Sequence, residues 1–234
     1  MHNKIDVVIM AGGKGERLMP LTLNTPKPLL KIGDKPIIEY NTDHLASSGI
    51  KNINIAVNYL SEQIITYFKE NNKHKIHFNF IKESKSLGTI GALKLIEHFT
   101  NDYILVMNAD LLTNVNFEAV FNNFLSKKGD ALIATIPYKV NIPHGVVETK
   151  ADFVTDLKEK PSYTYYSNAG IYMFKKECFE FIPENHFFDA TDLIEILLAK
   201  NKKIVNYPIL NYWLDIGKPE DFEKAQQDIK HLKF

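Results

Sequence analysis

Near the start of the chain an apolar, β-branched run, Ile5–Met10, breaks directly into Ala11-Gly12-Gly13-Lys14-Gly15. A run of this kind, with almost no polar alternation, reads as a strand covered on both faces. Ile53–Val57, Ile76–Ile81 and Tyr103–Met107 repeat the texture. Between them, amphipathic stretches predict helices over Pro36–Ser48, Ser61–Glu70, Thr89–Phe99 and Asn116–Lys127. Pro36 opens the first of these, Gly49 follows its end, and Ser61 suits the N-cap of the second. The alternation implies the α/β class, with a mixed, mainly parallel central sheet and helices on both faces. Such sheets bind ligands at the carboxyl ends of their strands.

Beyond about residue 130 the texture changes. Asp130–Pro137, Gly145–Thr149, Phe153–Lys158 and Tyr166–Phe174 read as strands joined by short turns. Two helices follow, Asp189–Ala199 and Pro219–His231, separated by a strand at Lys203–Pro208. The expected organisation is one domain over residues 1–234, with halves of about 1–130 and 131–234 that share one sheet.

Lys+Arg and Asp+Glu balance at 28 each, so no global field draws the chain to nucleic acid or a membrane surface. Any anionic ligand needs a local cationic site. Cys178 is the single cysteine, which excludes an intramolecular disulfide, and its setting KKECF has no CxxC or Cys–His pattern. It is expected to be an ordinary packed thiol. No apolar run approaches the ~20 residues of a membrane span. The opening MHNKID also lacks the layout of a secretory signal, so a soluble cytoplasmic protein is expected.

The glycine turn is the first candidate site. Glycines there let backbone N–H groups approach phosphate oxygens with no Cβ in the way. A dinucleotide fingerprint GxGxxG begun at Gly13 and Gly15 meets Leu18 where a third glycine is needed, which removes a nicotinamide dehydrogenase. No GxxxxGK[ST] string occurs either. Instead Arg17 and Lys27 supply two cations, and Pro26 and Pro28 flank Lys27, biasing it toward an extended backbone. A forked guanidinium plus a point-charge ammonium suits a phosphoryl group in transfer.

Asp110 closes Asn108-Ala109-Asp110, just past a buried strand, where a carboxylate can hold Mg²⁺ together with phosphate oxygens. Asp215 lies in the apolar, aromatic frame Tyr212–Gly217, where an acid is rare unless paired or metal-bound. Three further strings carry polar groups in turns or strands: Ser86–Gly91, expected to lead into a helix N-terminus, Glu159-Lys160-Pro161, and Asn168-Ala169-Gly170. The eight histidines form no metal pattern; His144, beside Gly145, is the one placed for a substrate contact.

Taken in order, these strings resemble the sugar-1-phosphate nucleotidyltransferases, from Ile5 to about Ala225. The resemblance implies a nucleotide-diphospho-sugar transferase (Rossmann-like) fold. It implies that Ala11, Gly12, Gly13, Gly15 and Arg17 hold a nucleoside triphosphate, with Lys27 on phosphate at the reacting centre. Glu83, Leu87 and Gly88 would lie near the base. Asp110 and Asp215 would ligate Mg²⁺, and Gly145, Glu159, Lys160 and Asn168 would hold the sugar 1-phosphate. The stretches NADLLTNVNF and YWLDIGKPEDFEKA look most like the guanylyltransferase branch, which favours GTP, with UTP, dTTP and CTP as the alternatives. Glu16, Met19 and Ala109 depart from the common pattern, the first two in the triphosphate loop. No hexapeptide repeats follow, so no attached acyltransferase is expected, and a homo-oligomer is compatible with the chain. A non-catalytic regulatory relative would be expected to have lost Arg17, Lys27, Asp110 or Asp215, and all four are present.

Overall fold

The structure, a computed structural model, describes residues 4–232. Its first half runs β1 (Ile5–Ala11), β2 (Lys31–Ile32), β3 (Lys35–Pro36), α1 (Ile37–Ser47), β4 (Asn52–Val57), α2 (Ser61–Glu70) and β5 (His77–Lys82). Then come β6 (Tyr103–Asn108), β7 (Leu111–Thr113) and α3 (Phe117–Lys127). The second half holds β8 (Ala131–Asn141), β9 (Val146–Lys150), β10 (Phe153–Lys158), β11 (Ser162–Lys175) and α4 (Ala190–Ala199). It closes with β12 (Ile204–Pro208), β13 (Trp213–Asp215) and α5 (Pro219–Asp228).

Seven strands form the central sheet in the order β12-β8-β11-β6-β1-β4-β5. All neighbours are parallel except β11, which runs antiparallel to both β6 and β8. Strands from both halves therefore share one sheet. The continuous apolar texture of β1 has a direct cause. Val7 and Ile9 pack with α1, α2 and α3 through Ile38, Ile64 and Phe124, while Val8 faces Ile104, Phe174 and Leu193 of α4 on the other side. Each such buried aliphatic contributes about 1.5–3 kcal/mol. A third, smaller core joins Leu18 of the glycine loop to Ile37, Leu112, Ile216 and Ala225, and so fastens that loop to α5.

Asn116 caps α3 as its type suggests, its Oδ1 accepting from Ala119 N–H at 2.9 Å. Ser61 does not cap α2. Leu60 occupies that position in the left-handed region (φ 48°), and Ser61 is the first helical residue. The helix expected over Thr89–Phe99 is a 3-10 turn, Gly91–Leu95. Its first amides are taken elsewhere: Ile90 N–H and Gly91 N–H both donate to Phe188 O, at 3.1 and 3.2 Å. The last predicted helix ends at Asp228, short of His231. Past the sheet, β8 and β11 continue as a two-stranded ribbon pairing Tyr138 with Tyr165, and β9–β10 form a separate hairpin beside it.

Candidate functional site

The parallel strands β1, β4, β5 and β6 deliver Gly12, Asn58, Glu83 and Ala109-Asp110 to one end of the sheet. There, Gly12, Gly13, Lys27, Glu83, Gly88 and Asp110 share the lining of a cleft of about 270 Å³. A contiguous open groove continues along Lys14, Gly15 and Arg17. Gly15 is demanded by its backbone: φ is 66°, and a Cβ there would sit 3.0 Å from both Thr22 Cγ2 and Lys27 Cβ. Thr22, fully buried, donates from Oγ1 to Gly15 O at 2.9 Å and pins the loop.

Lys27 does not take the extended backbone toward which its flanking prolines bias it. It opens a 3-10 turn, Lys27–Leu29, closed by Leu29 N–H on Pro26 O, and it is buried. Its ammonium pairs with Asp110 Oδ2. The other Asp110 oxygen, Oδ1, is buried without a hydrogen-bond partner, and so is Asp215 Oδ1. The two acids converge through backbone pairing, since β13 lies antiparallel to β7 with Asp215 opposite Leu111, and Ile216 N–H donates to Asp110 O at 3.0 Å. Burial, and then the charge of Asp110, push the Asp215 carboxyl above its ordinary range, while Lys27 and Arg17 act in the opposite sense. Arg17 itself is exposed, and its guanidinium lies where a Cβ on Gly217 would approach within 3.4 Å.

Two orphaned buried carboxylate oxygens, close enough to perturb one another, are costly unless something cationic joins them. One or two carboxylates completed by phosphate oxygens and water is a donor set that suits Mg²⁺. No group of three or more His, Cys, Asp or Glu side chains forms a metal cluster among the described residues. The pair therefore fits a cation shared with a ligand, not a fully protein-bound one.

Glu83 bends back over Gly12, where an added Cβ would lie 2.5 Å from Glu83 Oε1. Its Oε2 accepts Leu87 N–H at 3.0 Å, and burial raises its pKa. Leu87 does not line the cleft: its side chain is buried, its N–H goes to Glu83 and its carbonyl accepts Phe188 N–H. Gly88 has φ 78°, and a Cβ on it would strike Phe188 O at 2.6 Å. That glycine admits the crossing segment 186–189. The same segment brings Phe187 and Asp189 into the cleft, which Ala11, Asn108 and Ser86 also line. No motif marks Phe187 or Asp189 in the sequence.

The residues assigned to the sugar phosphate fall in two places, the β9–β10 hairpin and β11. Gly145 and Glu159 meet each other at the base of the β9–β10 hairpin, a Cβ on Gly145 falling 3.2 Å from Glu159 Oε2. Lys160 follows in an exposed turn with φ 44°, and His144 is exposed as well. Asn168 sits at an irregularity of β11, its amide donating to Tyr172 Oη at 2.8 Å and accepting Gly170 N–H at 3.0 Å. None of these lines the 270 Å³ cleft.

A glycine loop at strand carboxyl ends, set against a buried lysine–carboxylate couple, is an arrangement suited to an anionic, phosphate-bearing ligand. The nucleotidyl transferase family model matches residues 6–231, and the chain belongs to that family. The resemblance read from the sequence strings and the fold it implied are both met. A D-glycero-alpha-D-manno-heptose 1-phosphate guanylyltransferase of Aneurinibacillus thermoaerophilus is 32% identical over 231 residues, covering 97% of this chain and 99% of that protein. The mannose-1-phosphate guanyltransferase of Saccharomyces cerevisiae is 32% identical over 228 residues, which span 92% of this chain and 62% of the yeast protein. Among solved structures, HddC from Yersinia pseudotuberculosis superposes with a TM-score of 0.76 at 27% identity, covering 96% of this chain and 99% of that one. The same protein complexed with GMP-PN gives 0.75 at 26% identity, with the same shares of the two chains covered. No helix among the described residues is long and apolar enough to cross a membrane.

Proposed function

We propose that the protein transfers a nucleoside monophosphate, GMP in preference, from its triphosphate to a sugar 1-phosphate, releasing pyrophosphate. The observation that carries this reading is the Lys27–Asp110 couple beside two orphaned carboxylate oxygens, at the mouth of the glycine loop. The acceptor is already an anionic oxygen nucleophile, so neither a nucleophilic triad nor a general base is required. Its phosphate oxygen forms a bond to the α-phosphorus in line as the bond to the bridging α–β oxygen breaks, and pyrophosphate leaves with that oxygen.

In this reading the amides of Ala11–Gly15 cradle the triphosphate, Arg17 takes charge on its outer phosphates, and Lys27 faces the reacting phosphate. Asp110 and Asp215 would hold a magnesium ion, which would supply charge neutralisation there. Lys27, held by Asp110, is positioned in advance and loses little freedom when the phosphate arrives. Glu83 gives the base preference its physical basis. Guanine presents two adjacent donors, N1–H and the amino group, to a carboxylate, whereas uracil offers one donor between two acceptors. Glu83 Oε1 is available for the first donor, and Oε2 keeps capacity beyond the Leu87 N–H for the second. The guanylyl names of the relatives point the same way. Gly145, Glu159 and Lys160 of the β9–β10 hairpin, together with Asn168, are assigned to the acceptor side. A cytoplasmic site suits a reaction that consumes nucleoside triphosphates.

The test is Asp110→Asn. The variant is expected to fold and to lose pyrophosphate release from GTP, Mg²⁺ and sugar 1-phosphate by about 10²–10³-fold, the scale set by losing one charge-stabilising group. Turnover like that of the wild type would overturn the assignment of the couple to the reacting centre.

A further inference from the structure

Asn41, in the middle of α1, is buried to 1% exposure, and its amide is only half used. Its Nδ2 donates to Leu111 O at 2.8 Å, whereas its Oδ1 is buried without a hydrogen-bond partner. A buried amide with an orphaned oxygen is a standing cost to the fold. An apolar side chain at this place would not carry it. What the donor end holds must therefore offset the loss at the other end.

The pairing of β7 shows what that is. Among the described residues β7 pairs with β13 alone. Backbone bonds flank the three paired residues on either side: Ile216 N–H donates to Asp110 O at 3.0 Å, and Asn114 N–H to Tyr212 O at 3.3 Å. In an antiparallel pair, bonded and non-bonded positions alternate. Leu111, directly opposite Asp215, is therefore a non-bonded position, and its carbonyl turns away from β13 toward α1. Leu111 is buried as well, so that carbonyl needs a donor from the protein. Asn41 supplies it.

The corner around Asp110 is thus held at three consecutive residues by three different elements. Ala109 N–H donates to Met10 O of β1 at 3.1 Å, Asp110 O accepts from Ile216 just past β13, and Leu111 O accepts from α1. Of these ties, the one to α1 is made by a side chain. A three-residue strand with a single partner has little else to fix its register. The acid pair depends on that register, since Asp110 and Asp215 present their orphaned oxygens from the two sides of this ladder.

We propose that Asn41 is a positioning residue: through the Leu111 carbonyl it holds Asp110 in register with Asp215, so that the two carboxylates can share one cation. The proposal rests on the reading of that pair as a cation site completed by phosphate oxygens. The test is Mn²⁺ binding, followed by the paramagnetic resonance signal of the free ion, beside a GTP analogue that cannot release pyrophosphate. Asn41→Leu removes the donor at similar volume, and Asn41→Ala removes it with less bulk. Ile38→Val, at a fully buried position three residues earlier on α1, is a control that loses stability and keeps the tie. Groups that orient metal ligands without touching the metal change its affinity by about 10–100-fold, so both Asn41 variants are expected to bind Mn²⁺ about 10-fold more weakly or worse. They should also need correspondingly more Mg²⁺ for turnover, while Ile38→Val binds Mn²⁺ as the wild type does. Mn²⁺ affinity equal to the wild type's in both Asn41 variants would overturn the proposal, as would an equal loss in Ile38→Val. Failure of both Asn41 variants to fold would make Asn41 a residue of the fold alone and overturn it too. Mn²⁺ binding that Asp110→Asn leaves unchanged would overturn the underlying cation reading, which separates the two failures.

Discussion

Lys27 combines a buried ion pair with the phosphate contact proposed for it. It is buried between two prolines, and its ammonium is the nearest compensation for Asp110 and, beyond it, for Asp215. Lys27→Ala should therefore do two things. It should reduce turnover by about 10²–10³-fold through lost charge stabilisation. It should also destabilise the fold, toward the lower end of the roughly 3–5 kcal/mol for breaking a buried pair, because the Asp110 side chain keeps 24% exposure. Kinetics alongside urea unfolding would check both. Lost stability with wild-type kinetics would mean that Lys27 is structural only.

Glu83 carries a pH dependence whose sign follows from its burial. Its carboxyl is raised above the ordinary value of 4.5. If Glu83 reads guanine as proposed, the ionised form accepts its donors, and GTP affinity should weaken as pH falls through that raised pKa. The loss should begin at a higher pH than an ordinary glutamate would give. Measured as GTP KM against pH, the effect should vanish in Glu83→Gln. If the pH profile persists unchanged in that variant, Glu83 does not read the base.

At the scale of elements, the crossing of segment 186–189 over Leu87–Gly91 organises the cleft. Gly88→Ala should cost about 1–3 kcal/mol for the left-handed backbone alone, with the clash on Phe188 O added to it. Thermal unfolding would register the loss, and an unchanged melting temperature would show that the crossing is not held as described. This crossing also explains what the sequence left hidden. The strands of the parallel region were legible because burial on both faces leaves continuous apolar runs, as in Val7, Val8 and Ile9. The turn at Gly91–Leu95 was not, because its amides are claimed by Phe188, nearly a hundred residues away, and no local periodicity records that. The β7–β13 pair was invisible for a related reason. Three residues per strand carry no usable period, yet this pairing brings Asp215 to Asp110. Asp110 itself could be placed from its position after a buried strand. Phe187 and Asp189 had no such marker.

At the scale of the whole molecule, one sheet carries two kinds of contribution: parallel strands that deliver the glycine loop and Asp110, and the antiparallel β11 that carries Asn168 and Tyr172 toward the ribbon. The core behind β11 contains Cys178, whose thiol burial pushes up to about 11. In the native protein at pH 8 it should be almost wholly protonated and unreactive toward a thiol-specific disulfide reagent, reacting fully only after denaturation. Rapid labelling of the folded protein would contradict the packing described for that side of the sheet.

What the Met10–Leu30 loop and the Glu83 end of the cleft do together can be read from a pyrophosphate-release matrix. GTP, UTP, dTTP and CTP would each be paired with a panel of hexose, aminosugar and heptose 1-phosphates in the presence of Mg²⁺. Pyrophosphate release is expected to require a sugar 1-phosphate, with the highest kcat/KM for GTP. Release with another triphosphate at a higher kcat/KM than GTP would contradict the role given to Glu83, and no release from any pair would contradict the assignment of the loop to nucleotidyl transfer.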